Sequence, residues 1–259
     1  MTATLIMPRR RPVVLLHGWT MRGSIFKDLV GRLPAEFDCH APDLPGHGEL
    51  VTMRPSLEAA AQTMADLLDT HNLDDVVLVG WSMGAAVAWQ YIEQFGADRI
   101  AGLMTVDMSP KLACGPDWPH GLIGQGEADL DTTTTRMIDD WRGMAEAIAT
   151  TMFGRREGAA GYSRQNALAQ IFTNDPEKMI ALWKALVGMD HRGLIGRLPC
   201  PLLASCGALS RVYPASAARW LADTAPRGKL HVFSASGHSA HLEEPEAFAD
   251  RLVDFANSL

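Results

Sequence analysis

The pentapeptide Gly80-Trp81-Ser82-Met83-Gly84 follows the unbroken apolar run Val76-Val77-Leu78-Val79. It opens a helical pattern to Phe95, with Val87, Ala88, Tyr91, Ile92 and Phe95 at helical spacing. A serine between a buried strand and a helix sits on a sharp, strained turn that exposes its hydroxyl. Gly80 and Gly84 let strand and helix close around that turn, where a Cβ would clash. A G-x-S-x-G sequence alone is a short pattern. In this strand–turn–helix context it marks Ser82 as a nucleophile and directs the chain toward a parallel α/β sheet.

The rest of the chain repeats that alternation. Val13–Leu16, Ile100–Val106, Pro201–Cys206 and Leu230–Phe233 are further short apolar runs, the pattern of parallel strands buried on both faces. Leu57–Leu68 is helical, with Ala61, Met64, Ala65 and Leu68 on one stripe. Strand–helix alternation implies right-handed crossovers in a mostly parallel sheet flanked by helices.

Residues 111–197 break the rhythm, with no convincing strand. Met137, Trp141, Met144, Ile148 and Met152 recur at steps of three and four and predict one amphipathic helix. Asp175-Pro176 reads as an N-cap followed by proline at the first helical position, opening a helix with Met179, Leu182, Trp183 and Leu186. The expected organisation is a core of residues 1–110 and 198–259 interrupted by a helical cap, 111–197. Such a cap would lie over the carboxyl ends of the strands, where ligands bind in open α/β sheets.

With 259 residues, the chain can bury a sizeable core. A net charge of −7 offers no basic face for nucleic acid. No apolar run approaches the roughly 20 residues needed to cross a bilayer. The N-terminus places Arg9, Arg10 and Arg11 after its apolar stretch, the reverse of a signal peptide, so a cytoplasmic protein is expected. The four cysteines form no CxxC pair and read as reduced, buried hydrophobes. No metal cluster or dinucleotide fingerprint is present, so no cofactor is expected.

If Ser82 attacks a carbonyl, the resulting oxyanion needs preorganised N–H donors. The N–H of Met83, just after the serine, is the first candidate. The N–H of Trp19, in His17-Gly18-Trp19-Thr20, is the second. Trp81 beside the serine and Trp141 in the insertion are candidate substrate contacts.

Together these motifs resemble the α/β-hydrolase family. The resemblance also rests on Asp43-Leu44-Pro45-Gly46-His47-Gly48, on Gly237-His238-Ser239 and on His241-Leu242-Glu243-Glu244-Pro245, and it spans about residues 11–255. It implies a helical lid inserted between core strands and a shortened N-terminal end of the sheet. It assigns the base to His238, after the last strand. It gives structural roles to His47 and His241, and His17, beside Gly18 in its loop, reads as structural too.

The usual acid is missing. In most of the family it falls in a pattern like G-x-x-D-x-x-x-P, but here Gly207-Ala208-Leu209-Ser210-Arg211-Val212-Tyr213-Pro214 has serine in its place. Two accounts are open. The carboxylate has moved to Asp107, in Thr105-Val106-Asp107-Met108-Ser109-Pro110, as in a subset of the family; or Asp107 is structural and catalysis is impaired.

The expected reaction is hydrolysis of a carboxylic ester or thioester through an acyl-enzyme. The elbow, His17-Gly18-Trp19, Ser109-Pro110 and Asp117-Trp118-Pro119 are similar to the pimeloyl-acyl-carrier-protein methyl ester esterases. That likeness implies a small-molecule ester substrate that could be linked to acyl-carrier protein, with Arg136, Arg142, Arg155, Arg156 and Arg164 either meeting an acidic carrier or forming a solvated face. No nucleic acid or membrane partner is expected, and the chain would be a monomer or homodimer. Rival readings are a ligand-binding protein on an impaired hydrolase scaffold, and a cofactor-free perhydrolase or C–C hydrolase.

Overall fold

In a computed structural model the described residues are 10–259. The N-terminal stretch read as unlike a signal peptide lies largely outside them. In chain order the elements are β1 (Arg11–Leu16), α1 (Lys27–Arg32), β2 (Phe37–His40), α2 (Leu57–His71), β3 (Val76–Trp81), α3 (Met83–Phe95) and β4 (Ile100–Val106). Then come α4 (Glu127–Asp139), α5 (Trp141–Thr151), a minimal hairpin of β5 (Gly158–Ala159) and β6 (Tyr162–Ser163), α6 (Arg164–Ile171), α7 (Pro176–Gly188) and α8 (Arg192–Ile195). The chain closes with β7 (Leu202–Gly207), α9 (Ala215–Thr224), β8 (Gly228–Phe233), α10 (Ala240–Glu243) and α11 (Pro245–Asn257).

Six strands pair in the order β2-β1-β3-β4-β7-β8, all parallel. The two-residue period of β1 divides the core. Val14 and Leu16 pack toward α2, α3 and α9, with Met64, Leu68, Trp89 and Leu221. Val13 and Leu15 face the opposite layer, with Leu29 of α1 and Phe248 and Leu252 of α11. Both faces of β1, β3, β4 and β7 are covered, which is why those strands read as continuous apolar runs.

Three local readings change. β2, Phe-Asp-Cys-His, is an edge strand only four residues long and too polar to show as an apolar run. The single helix expected across Met137–Met152 is two helices. Asp140 leaves helical geometry (φ −143°, ψ 66°), and its carboxylate accepts the Gly143 N–H at 2.8 Å, capping α5. The insertion also contains the small β5–β6 hairpin. Asp175 does cap α7 ahead of Pro176, accepting the Glu177 N–H at 3.0 Å.

Candidate active site

Ser82 stands between β3 and α3 with φ 51° and ψ −121°, a left-handed conformation rare for a residue with a Cβ. Close packing imposes it. A Cβ on Gly84 would fall 2.0 Å from the Leu16 carbonyl oxygen, and one on Gly80 would fall 2.5 Å from the Ala85 backbone. The Ser82 N–H donates to Val106 O at 2.9 Å, and Ser82 O accepts from the Ala85 N–H at 2.8 Å.

Val106 ends β4, and Asp107 follows it, also at positive φ (49°). The Asp107 N–H donates to Ser205 O of β7 at 2.8 Å. The Asp107 side chain is 1% exposed, and its Oδ2 lies 2.6 Å from His238 Nδ1. The carboxylate is an acceptor, so Nδ1 carries the proton and Nε2 is left as the basic nitrogen. Ser210 occupies the third corner: its hydroxyl donates to the same Oδ2 at 2.7 Å. Ser82 and His238 line one cavity, and Asp107 sits behind the imidazole.

The loop carrying His238 is held from several sides. Trp81 Nε1–H donates to the His238 carbonyl at 2.8 Å. Glu243 accepts the Gly237 N–H at 2.8 Å and the Gly154 N–H at 2.7 Å, joining the His238 loop to the insertion. Ser239 Oγ donates to Met152 O at 2.7 Å, a second link to the insertion. Burial pushes the Glu243 carboxyl upward.

The other rim is built around two histidines. His17 Nδ1–H donates to Gly18 O at 2.9 Å while Nε2 accepts the Leu44 N–H at 3.0 Å. His47 Nε2 accepts the Thr20 N–H at 3.2 Å. Burial lowers His17 to about 4 and His47 to about 3, so both rings are neutral struts near pH 7. The loop they brace contains Trp19, whose indole N–H donates to Met179 O of α7 at 3.0 Å. Asn174 Nδ2 donates to Thr20 O at 2.8 Å. Met83 is the first residue of α3, so its N–H belongs to the first turn, which has no partner within the helix. The insertion thus grips both the Trp19 loop and the His238 loop.

Between these rims lies a cavity of about 310 Å³. Its apolar wall includes Met108, Met137, Met144, Met152, Trp183 and Leu186. Trp19 and Trp81 line it as well; Trp141 does not. Trp141 instead packs edge-on behind Trp19, with ring centroids 6.2 Å apart. Trp183 supplies the aromatic wall at 5.6 Å from Trp19, oriented by an N–H bond to Thr134 Oγ1 at 2.8 Å. Arg136 is exposed and lines the same cavity. Arg142, Arg155 and Arg156 are exposed, whereas Arg164 pairs with Glu146 at 2.7 Å.

Sequence reasoning did not single out Trp183, Glu243 or the bond made by Ser210. Trp183 was visible as a member of the α7 stripe, but a stripe does not say which face meets a cavity. Nothing local to Ser210 or Glu243 foretells their partners, which lie 103 and 89 residues away at Asp107 and Gly154.

Residues 13–251 match the sequence profile of a family described as the alpha/beta hydrolase family. A pimeloyl-[acyl-carrier protein] methyl ester esterase from Vibrio vulnificus is 30% identical over 249 residues, covering 94% of this chain and 93% of the relative. The protein of the same name from Chromobacterium violaceum is 29% identical over 244 residues, covering 93% and 92%. Among solved structures, an esterase from Exiguobacterium antarcticum superposes with a TM-score of 0.87 at 22% identity, covering 95% of this chain and 92% of its own. A bromoperoxidase from Bacillus anthracis gives 0.85 at 22% identity, with the same coverage.

Proposed function

The chain belongs to the alpha/beta hydrolase family, and on that premise we propose that it is a serine esterase whose nucleophile is Ser82, base Nε2 of His238 and acid Asp107. The observation that carries this reading is the 2.6 Å bond from His238 Nδ1 to Asp107, made beside the cavity that Ser82 and His238 share. It supports the relocated-acid account, because a buried carboxylate meets the imidazole although position 210 is serine.

In this mechanism Ser82 Oγ attacks the ester carbonyl carbon as His238 Nε2 takes the hydroxyl proton. The charge on the carbonyl oxygen is received by the N–H groups of Met83 and Trp19. Asp107 stabilises the imidazolium. Collapse of the tetrahedral adduct expels the alcohol, which takes the proton from His238. Water, deprotonated by the same imidazole, then releases the carboxylic acid and restores Ser82.

The methionine-rich cavity suits an ester with an apolar acyl chain. The names of the relatives direct the substrate reading to a methyl ester of a carrier-linked acyl chain. Exposed Arg136, Arg142, Arg155 and Arg156 would meet carboxylates or phosphates of such a carrier. Residues 111–197 then act as a cap on the core formed by 1–110 and 198–259, in a cytoplasmic enzyme.

A fluorophosphonate probe tests the chemistry. The wild type should be labelled and Ser82→Ala should not, with hydrolysis of short methyl esters lost in parallel. Equal labelling of the two proteins would exclude Ser82 as nucleophile.

A further inference from the structure

Asp107 is buried, and its hydrogen bonding among the described residues is lopsided. Oδ2 takes both the His238 Nδ1–H at 2.6 Å and the Ser210 hydroxyl at 2.7 Å. Oδ1 is enclosed and has no hydrogen-bond partner. Among the described residues Ser210 is therefore the one donor, apart from the imidazole itself, that holds this carboxylate. The direction of its hydroxyl is fixed by its own surroundings. Val212 N–H and Tyr213 N–H approach Ser210 Oγ at 3.3 and 3.4 Å, and both can only donate. They occupy the lone-pair side and leave the O–H to point at Asp107.

Resting on the esterase reading above, we propose that Ser210 is a positioning residue: its hydroxyl fixes the rotamer of the Asp107 carboxylate and, by sharing Oδ2, tempers the carboxylate's pull on the His238 imidazole. A hydrogen bond to an anion is among the stronger ones in a protein interior and draws charge from the oxygen that accepts it. Removing the hydroxyl concentrates charge on Oδ2. The carboxylate then holds Nδ1–H more tightly and favours the protonated imidazole, yet gains freedom to rotate toward the unpartnered Oδ1 side. The first effect moves a titration; the second lowers turnover.

Three of the other titratable groups turned toward this pair, Cys206, Tyr213 and His241, keep one protonation state near neutral pH. Burial pushes Cys206 up to about 12 and raises Tyr213 as well. Burial lowers His241 to about 3. Glu243, which faces His238 from α10, is a carboxyl raised by burial and held by backbone N–H groups. A shift near neutrality in a Ser210 variant that comes with a moved His238 Nδ1–H signal therefore belongs to the Asp107–His238 pair rather than to Glu243.

The test compares full-length wild type, Ser210→Ala and Ser210→Thr with p-nitrophenyl butyrate across pH, and records the downfield proton NMR signal of His238 Nδ1–H. In Ser210→Ala, kcat should fall on the order of tenfold, the scale of one hydrogen bond to a charged group, with KM little changed. The acid limb of kcat/KM, which reports the base of the free enzyme, should move to higher pH, and the Nδ1–H signal should move further downfield. Ser210→Thr keeps the hydroxyl and should return all three toward wild type. If Ser210→Ala fails to fold, Ser210→Cys, close in size with a poor donor, carries the same expectations.

Wild-type turnover, limb and resonance in Ser210→Ala would overturn the proposal. So would a loss of kcat with limb and resonance unmoved and no recovery in Ser210→Thr, the outcome of a structural role alone. If wild type hydrolyses no ester, the esterase reading fails instead, and the resonance still decides whether Ser210 acts on the pair.

Discussion

Ser82 donates its backbone N–H to the carbonyl of Val106 at 2.9 Å, and Val106 is the residue immediately before Asp107. The two strained turns of the site, at Ser82 and Asp107, are thus fastened to each other by main chain at the ends of neighbouring parallel strands. Asp107 in turn is tied to Ser205 of β7 at 2.8 Å. Ser82 and Asp107 are therefore placed by the register of β3, β4 and β7.

Asp107→Ala should lower turnover by roughly 10³- to 10⁴-fold, since the imidazole loses the group that orients it and balances its charge. Adding Ser210→Asp should recover part of that loss, because a side chain at 210 already reaches the oxygen that His238 bonds. Steady-state kinetics of the single and double variants check both statements; near-normal activity in Asp107→Ala would remove Asp107 from the mechanism.

Trp81→Phe keeps an aromatic wall but deletes the N–H that holds the His238 carbonyl. The loss of one neutral hydrogen bond, about 1 kcal/mol, should cost roughly fivefold in kcat. Unchanged kinetics would show that the Glu243 and Ser239 anchors suffice without it.

The protein should lose stability as pH falls from about 6.5 toward 4. His17, His47 and His241 are lowered from an ordinary 6.5 to about 4, 3 and 3, chiefly by burial. Below 6.5 the unfolded chain binds these protons while the folded chain does not. The stability is whole above that pH and drains through the window down to the folded values. His241 packs against Trp81 and Phe26, and neither ring nitrogen has a hydrogen-bond partner among the described residues. His241→Leu should therefore flatten the pH dependence of the urea midpoint between pH 6.5 and 4. A slope equal to wild type would contradict the burial argument.

Arg136→Ala should separate carrier-linked from free substrates. Removing this exposed cation at the cavity should lower kcat/KM for an acyl-carrier-protein methyl ester severalfold, and the loss should shrink at high salt. A small free methyl ester should be hydrolysed at the wild-type rate. An equal loss on both substrates would assign Arg136 to the cavity wall rather than to the carrier.

The sequence by itself determined the elements whose signals are local. Continuous apolar runs marked β1, β3, β4 and β7 because those strands are covered on both faces, and the shorter run Leu230–Phe233 marked the edge strand β8 although Lys229 and Val232 are exposed. Gly80-Trp81-Ser82-Met83-Gly84 marked the turn because only such a spacing lets β3 and α3 close around a serine. The same local reasoning failed where the signal was weak or misleading. β2 is short and polar, and the apolar steps from Met137 to Met152 ran straight through the capped break at Asp140. What only the tertiary structure decided is which distant groups meet. Asp107 and His238 are 131 residues apart, Ser210 and Asp107 are 103 apart, and Trp183 rather than Trp141 faces the cavity. Those contacts follow from strand order and from how the insertion packs over the sheet. A hydrogen bond between distant side chains leaves no periodicity in the sequence that carries them.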